Sequence, residues 1–385
     1  MLKMILRIFV FIIFFSLVVP VAFAQENSDQ LPNGRYKPEF IMSHQQELGM
    51  TDDQRQRIMK EVMELQVKIP QLPDGPEKMK LFLGTVTRIN DVLTPEQKEI
   101  LKKLQSQGES ASSGPNTPQL FIRPQRVVIQ GYSEVAAMEP FISRDGKYLF
   151  FNNSNGKPGT DTHLFYATRI NDTTFQLVGS VKGLDASLRA PDINSAAPSL
   201  DTNGNIYFTT NRSYHHDFNV IHHGLFNNGT VTGVAPVTGI SRKQPGWINM
   251  DGEISEDGRT LYYSDNSEQV SIIKVASKNA DGSFSPLANS DDLLKNVNNA
   301  DHNYAPSSSK DGLELFFTRA MAGGIYVVKR SSTSEPFGVP QLAVSAADGP
   351  VEAPSISSDG THLYYAKKDG ADPYSWSIYV ATRGK

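Results

Sequence analysis

The sequence predicts a mainly β chain: a five-bladed β-propeller of four-stranded antiparallel blades over residues 119–385, preceded by a small all-α module over 36–106. Three observations predict it. One phrase recurs five times, at residues 139–146, 197–204, 251–258, 305–312 and 353–360. Its closing glycines, Gly146, Gly204, Gly258, Gly312 and Gly360, are 58, 54, 54 and 48 residues apart. Each copy is followed by a short aromatic run such as Tyr148-Leu149-Phe150-Phe151 or Leu363-Tyr364-Tyr365. A period near fifty with several strand signals inside each unit is the signature of propeller blades.

Taken in order, each unit supplies its strands. Asp-Gly or Asn-Gly between two apolar runs is a tight hairpin turn in which Gly takes the positive φ. The run before the turn is the inner strand and the aromatic run after it is the second. Third strands are expected at 164–166, 225–226, 272–273, 325–327 and 378–380. Fourth strands are expected near 175–181, 235–240, 284–287 and 337–344. The last unit stops after its third strand, at Lys385. Pro124-Gln125-Arg126-Val127 resembles Pro340-Gln341-Leu342-Ala343 of a fourth strand. Residues around 120–130 are therefore expected to complete the final blade, which removes an open sheet edge.

The chain begins like a secretory signal. Lys3 and Arg7 precede an apolar run, and Ala22-Phe23-Ala24 fits a small-x-small cleavage site, so cleavage is expected after residue 24. No other stretch is apolar enough to span a bilayer. There is no cysteine, hence no disulfide and no thiolate metal site. Without the signal, 35 basic residues stand against 41 acidic ones, a formal charge of −6. That balance speaks against a nucleic-acid partner. A periplasmic or secreted location is expected.

Residues 36–106 repeat apolar positions at helical spacing: Ile58, Val62, Leu65 and Ile69, then Met79, Phe82, Val86, Ile89 and Leu93. Four helices are expected, at about 38–48, 52–68, 76–92 and 95–106. Thr51-x-x-Gln54 and Thr94-x-x-Gln97 both read as capping boxes. Residues 107–118 have linker composition. Met50-Thr51-x-x-Gln54 and Leu93-Thr94-x-x-Gln97 resemble the paired Leu-Thr-x-x-Gln motifs of the Spy/CpxP type of periplasmic stress proteins, with Met50 departing from Leu. The resemblance implies binding rather than chemistry: dimerisation, or a holdase role toward unfolded clients. A helical stalk is the plainer reading.

The propeller phrase, in Pro140, Ser143, Asp145 and Gly146 and again in Pro354, Ser357, Asp359 and Gly360, resembles the repeats of TolB-type propellers. The third copy departs, with Gly252 where Pro is expected. The resemblance implies fold more than function, since propellers host enzymes and binding modules alike.

Strand direction puts the blade-to-blade loops and the second-to-third-strand loops on the face opposite the Asp-Gly turns. That face carries the candidate ligand-binding residues Glu139, Asp192, Trp247, Asp251, Asp301, His302 and Glu352. The expected partner is an envelope protein or a glycan. In the enzymatic alternative, Glu139, Asp251 and Glu352 supply the acid and the ionised carboxylate that glycoside hydrolysis needs, and Trp247 serves as a sugar platform. His215, His216, His222 and His223 are expected in a loop without standard zinc spacing. No metal or cofactor is expected. Ser143 and its repeats read as turn residues, not nucleophiles.

Overall fold

The computed structural model describes residues 30–31, 35–36, 38, 41, 48–68, 72, 76–112, 119–153, 161–184, 194–213, 219–267, 270–299, 302–320, 323–369 and 374–384. The signal-like segment, most of the first expected helix, and His215 and His216 lie outside them. The chain divides into two compact units that meet at residues 118–119. No helix of the described residues is long and apolar enough to cross a membrane.

The first unit contains β1 (Gln30–Leu31) paired with β2 (Arg35–Tyr36), then α1 (Asp52–Lys68), α2 (Pro76–Asn90) and α3 (Pro95–Ser112). Both capping boxes form. Thr51 N–H donates to Gln54 Oε1 at 3.1 Å and Gln54 N–H to Thr51 Oγ1 at 3.2 Å. Thr94 N–H and Gln97 repeat the pattern at 2.9 and 3.3 Å. The two motifs also hold each other. Gln54 Nε2 donates to Gln97 Oε1 at 2.8 Å, Gln97 Nε2 returns to Gln54 Oε1 at 3.1 Å, and each amide also reaches a main-chain carbonyl, Val92 or Leu48. The paired glutamines thus join the starts of α1 and α3. Gln97 is buried, so Gln97→Ala is expected to cost about 1–3 kcal/mol by stranding buried amide and carbonyl groups. Urea unfolding followed by far-ultraviolet circular dichroism checks it. Helix α3 continues to Ser112, into the first half of the expected linker. Gln, Glu, Ser and Ala all tolerate helix there, and Gly108 alone costs only about 1 kcal/mol.

The second unit is mainly β. Strands β3 (Phe121–Arg126) and β4 (Val128–Gln130) precede the repeats. The first antiparallel set is β5 (Met138–Ile142), β6 (Tyr148–Asn152), β7 (Leu164–Asn171) and β8 (Thr174–Ser180). The second is β9 (Ser195–Leu200), β10 (Asn205–Ser213), β11 (Asn219–Asn227) and β12 (Thr230–Pro236). The third is β13 (Ile248–Ile254), β14 (Thr260–Asn266), β15 (Ser271–Lys278) and β16 (Phe284–Pro286), followed by the short α4 (Ser290–Leu293). The fourth is β17 (Asn303–Ser308), β18 (Glu314–Arg319), β19 (Gly324–Lys329) and β20 (Gln341–Ser345). The last is β21 (Val351–Ile356), β22 (His362–Lys368) and β23 (Trp376–Arg383), with β3 antiparallel to β23 as its fourth member. Strand β4 adds in parallel to β8, a pairing that the sequence does not announce.

Two expectations shift. The fourth strand of the second set lies at 230–236 rather than near 235–240. Asn228 (φ 47°) and Gly229 (φ 83°) form the turn that joins it directly to β11; Asn-Gly is a strong hairpin signal. His222 and His223 lie on β11, not in a loop. Neighbouring strand residues point to opposite faces, so these two do not converge: His222 is buried and His223 stacks on Tyr207. Among the described residues no group of three or more His, Asp or Glu could hold a metal.

The two aromatics in each second strand serve different cores. Alternation along a strand sends one ring to each neighbouring set. Phe150 packs with the second set and Phe151 with the last. Tyr207 and Phe208, Tyr262 and Tyr263, Phe316 and Phe317, and Tyr364 and Tyr365 divide in the same way. Five apolar cores thus fill the five junctions, including the junction between last and first sets, at roughly 1.5–3 kcal/mol per buried large side chain. The hydrogen bond from Ile142 N–H to Ser355 Oγ (3.0 Å) spans that same junction and closes the ring.

Candidate functional site

The first strands of the sets, β5, β9, β13, β17 and β21, stand next to one another in a ring. Each carries a register shift. At each shift one non-glycine residue takes positive φ: Glu139 (47°), Ala197 (48°), Asp251 (54°), Ala305 (49°) and Ala353 (51°). This is a bulge conserved across the internal repeat, and bulges re-aim side chains. Left-handed backbone costs an L-residue about 1–2 kcal/mol. Hydrogen bonds from the freed N–H groups offset it. Asp251 N–H donates to Thr209 Oγ1, Ala305 N–H to Ser264 Oγ and Ala353 N–H to Thr318 Oγ1, at 3.0–3.2 Å. Those hydroxyls occupy the residue after the aromatic pair of the preceding set. In the first set that place is Asn152, and Glu139 Oε2 instead accepts from Ala197 N–H at 2.8 Å.

The bulges surround a central cavity of about 40 Å³ lined by Glu139, Asp251, Glu253 and Phe141 together with alanine, proline, serine and glycine residues of the first strands. That volume suits a few waters at most; sites for small organic ligands run to about 300–1,000 Å³. One end is closed. Arg144 reaches from the first set to Glu253 Oε1 (2.8 Å) and Ile254 O (2.6 Å) of the third, and to Leu200 O (3.3 Å) of the second. Both members of the pair are only 5% exposed. Glu253 also accepts from Ser199 Oγ and Ser308 N–H. The departure at Gly252 thus belongs to the set whose next residue makes the plug, where other sets place Ser199, Ser307 or Ser355. Below it, Glu256 gathers Ser358 Oγ, Thr202 Oγ1 through its carbonyl, and Lys310 Nζ. Sequence reading missed Arg144 and Glu253: Glu253 is signalled by a charge where three other copies have Ser, whereas Arg144 falls at a position that is also charged in Glu256 and Lys310 and so does not stand out.

Above the plug the walls are acidic. Asp251 Oδ2 accepts from Ser264 Oγ and Glu352 Oε2 from Tyr304 Oη, both at 2.9 Å. Burial raises Asp251 to about 6 against the pull of the Ser264 and Ala305 donors. Burial raises Glu352 to about 7, with Asp251 adding repulsion and Tyr304 opposing it. Burial and the charges of Glu352, Asp251 and Glu139 drive Tyr304 far above the usual phenol range, so it stays a donor. No ion pair joins Asp251 or Glu352 to Lys or Arg among the described residues.

The expected site residues therefore fall into groups. Glu139 and Asp251 line the cavity, and Glu352 reaches the same neighbourhood through Tyr304. His302 is buried, with φ 58°, one residue before β17. Trp247 does not line the cavity. Arg242 lies 3.7 Å over its ring and is itself held by Asp265 Oδ2, so one indole face is covered. Asp192 and Asp301 lie outside the described residues. The Ser-x-Asp-Gly turns form as read: Ser143, Ser255, Ser309 and Ser357 each donate to the Asp two residues on.

No family model matches the chain, and no curated protein matches it. Among solved structures it is similar to TolB from Acinetobacter baumannii (17% identity, TM-score 0.35), over 65% of this chain and 55% of that one. It is also similar to an exo-β-1,3-galactanase from Clostridium thermocellum (11%, TM-score 0.46), over 67% and 61%. A third is Zg3597, a family 117 glycoside hydrolase from Zobellia galactanivorans (12%, TM-score 0.47), over 68% and 90%. The chain spans little more than half the length of that TolB, and no residue role passes from any of these proteins to this one.

Proposed function

We propose that the chain is an exported bacterial binding protein, periplasmic or secreted, built on a five-bladed propeller whose loop face recognises a protein or a glycan. The helical unit serves dimerisation or client binding. The observation that carries the reading is the size of the acidic cavity: at about 40 Å³, with its turn end plugged, it has no room to place a sugar ring between Glu139 and Asp251. The test uses residues 25–385 with panels of envelope oligosaccharides and envelope proteins. Saturable binding without release of reducing ends is expected. The Glu139→Gln/Asp251→Asn/Glu352→Gln variant should bind at least tenfold more weakly while keeping its fold.

The alternative reading is a glycoside hydrolase. It draws support from two buried carboxyls whose proton affinities are raised by burial, with repulsion from Asp251 adding to the effect at Glu352, a pattern that acid–base sites share. Turnover by the wild type, lost at least a hundredfold in the same variant, would replace binding by hydrolysis.

A further inference from the structure

A second cavity, of about 520 Å³, opens between the third and fourth sets at their turn ends, a volume that small organic ligands fill. Its floor is apolar, with Tyr262, Val275, Leu294 and Phe337 belonging to the core between those sets. Its rim is polar and carries both signs, yet the charges are already engaged. Lys310 Nζ lies 3.7 Å from Glu256. Asp257 and Asp311 each accept from a turn Ser and a backbone N–H. Arg330 donates to Gly312 O, Thr333 O and Tyr262 Oη and lies 4.2 Å over Phe337. Between floor and rim, the hydroxyls of Thr260, Ser277 and Thr333 line the cleft with no protein hydrogen bond among the described residues.

We propose that this cleft binds a neutral saccharide of one or two rings. An ionic ligand needs an unbalanced charge, and the rim sets Lys310 and Arg330 against Glu256, Asp257 and Asp311, a formal charge of only −1. A wholly apolar ligand would strip water from the rim hydroxyls and carboxylates without replacing its hydrogen bonds, which is costly. A sugar ring offers a C–H face to the apolar floor and hydroxyls to a rim rich in both donors and acceptors. The site is separate from the central acidic cavity and shares neither Asp251 nor Glu139 with it.

Saturation-transfer nuclear magnetic resonance on the chain 25–385 tests it. The probes are lactose, maltose, cellobiose and N-acetylglucosamine, with galacturonate, glucosamine and indole as anionic, cationic and apolar comparators. At least one neutral sugar is expected to bind saturably and more tightly than any comparator. Ser277→Trp and Thr333→Trp, which fill the cleft from partly exposed and exposed positions, should each weaken binding at least tenfold, with circular dichroism confirming the fold. Val178→Ser, at an exposed position that lines neither cavity, should leave it unchanged, which ties the effect of the tryptophans to the cleft. Binding by none of the neutral sugars, tighter binding of a comparator, or full binding in both tryptophan variants would overturn the proposal.

Discussion

Replacing Arg144 by Met is expected to lower the unfolding free energy of the β unit by about 3–5 kcal/mol, because it leaves a buried carboxylate without its counter-ion. The pair is almost wholly buried, and Arg144 also satisfies the carbonyls of Leu200 and Ile254 and lies 5.0 Å over Phe141. Glu253 would retain only Ser199 Oγ, Ser308 N–H and the Ser308 hydroxyl as donors. The sign of the second substitution distinguishes charge from packing. In the Arg144→Met background, Glu253→Gln removes the stranded charge and should recover part of the loss; in the wild-type background the same change should destabilise. Trp247 and Trp376 are the chain's two tryptophans and both lie in the β unit, so their fluorescence in a urea titration reports on this unit alone. A cost below about 1 kcal/mol for Arg144→Met would show that the plug does not hold the ring together.

Stability is expected to rise between pH 8 and pH 5, the reverse of the common carboxylate effect. Asp251 and Glu352 have folded-state proton affinities raised, to about 6 and about 7, above ordinary values of 3.8 and 4.5. A raised carboxyl favours the folded state fully below its unfolded value, and that contribution is lost as pH climbs through the folded value. The two groups together are worth on the order of 2–3 kcal/mol or more over this window, by the 1.36 kcal/mol that accompanies each tenfold change in proton affinity. The turn aspartates act in the opposite sense. Burial alone would raise Asp359, but donors from Ser357 and Thr361 outweigh it and hold the group at about 2, so its contribution fades only as pH falls below about 4. The optimum should therefore lie near pH 4–6. Asp251→Asn with Glu352→Gln should raise the thermal midpoint at pH 8 and change it little at pH 4. Equal effects at both pH values would refute the assignment of these groups as the titrating pair. A gain at pH 8 would also mean that the acidic cavity is kept at a cost to stability, as functional sites commonly are.

Much of the architecture is legible in the chain itself. The five Ser-x-Asp-Gly or related turns, the paired aromatics and the displaced fourth strand near 121–126 are local patterns, and each turn or strand that they mark is built from neighbours in sequence. The Asn228-Gly229 hairpin was equally local and could have been read, which would have placed β12 correctly. The site was legible in part. The register of the repeat puts Glu139 and Asp251 at equivalent bulges, so their common location follows from periodicity. Asn249 and Asp265, by contrast, meet Arg242 and Trp247 through contacts that no period announces.

The sequence alone thus determined the number of repeats, the turn chemistry, the aromatic pair in each second strand and both capping boxes, since those depend on spacing within a few residues. Only the tertiary structure decided that Gln54 and Gln97 bind each other, that Arg144 crosses the ring to Glu253, that Trp247 is covered by Arg242, and that the carboxylates wall a cavity of water size. Most of these join residues tens to more than a hundred positions apart, and Arg242, though only five positions before Trp247, is held over the indole by Asp265 further along the chain; all are fixed by how the sheets close around one another and by how far each side chain reaches, and neither quantity is carried by local pattern.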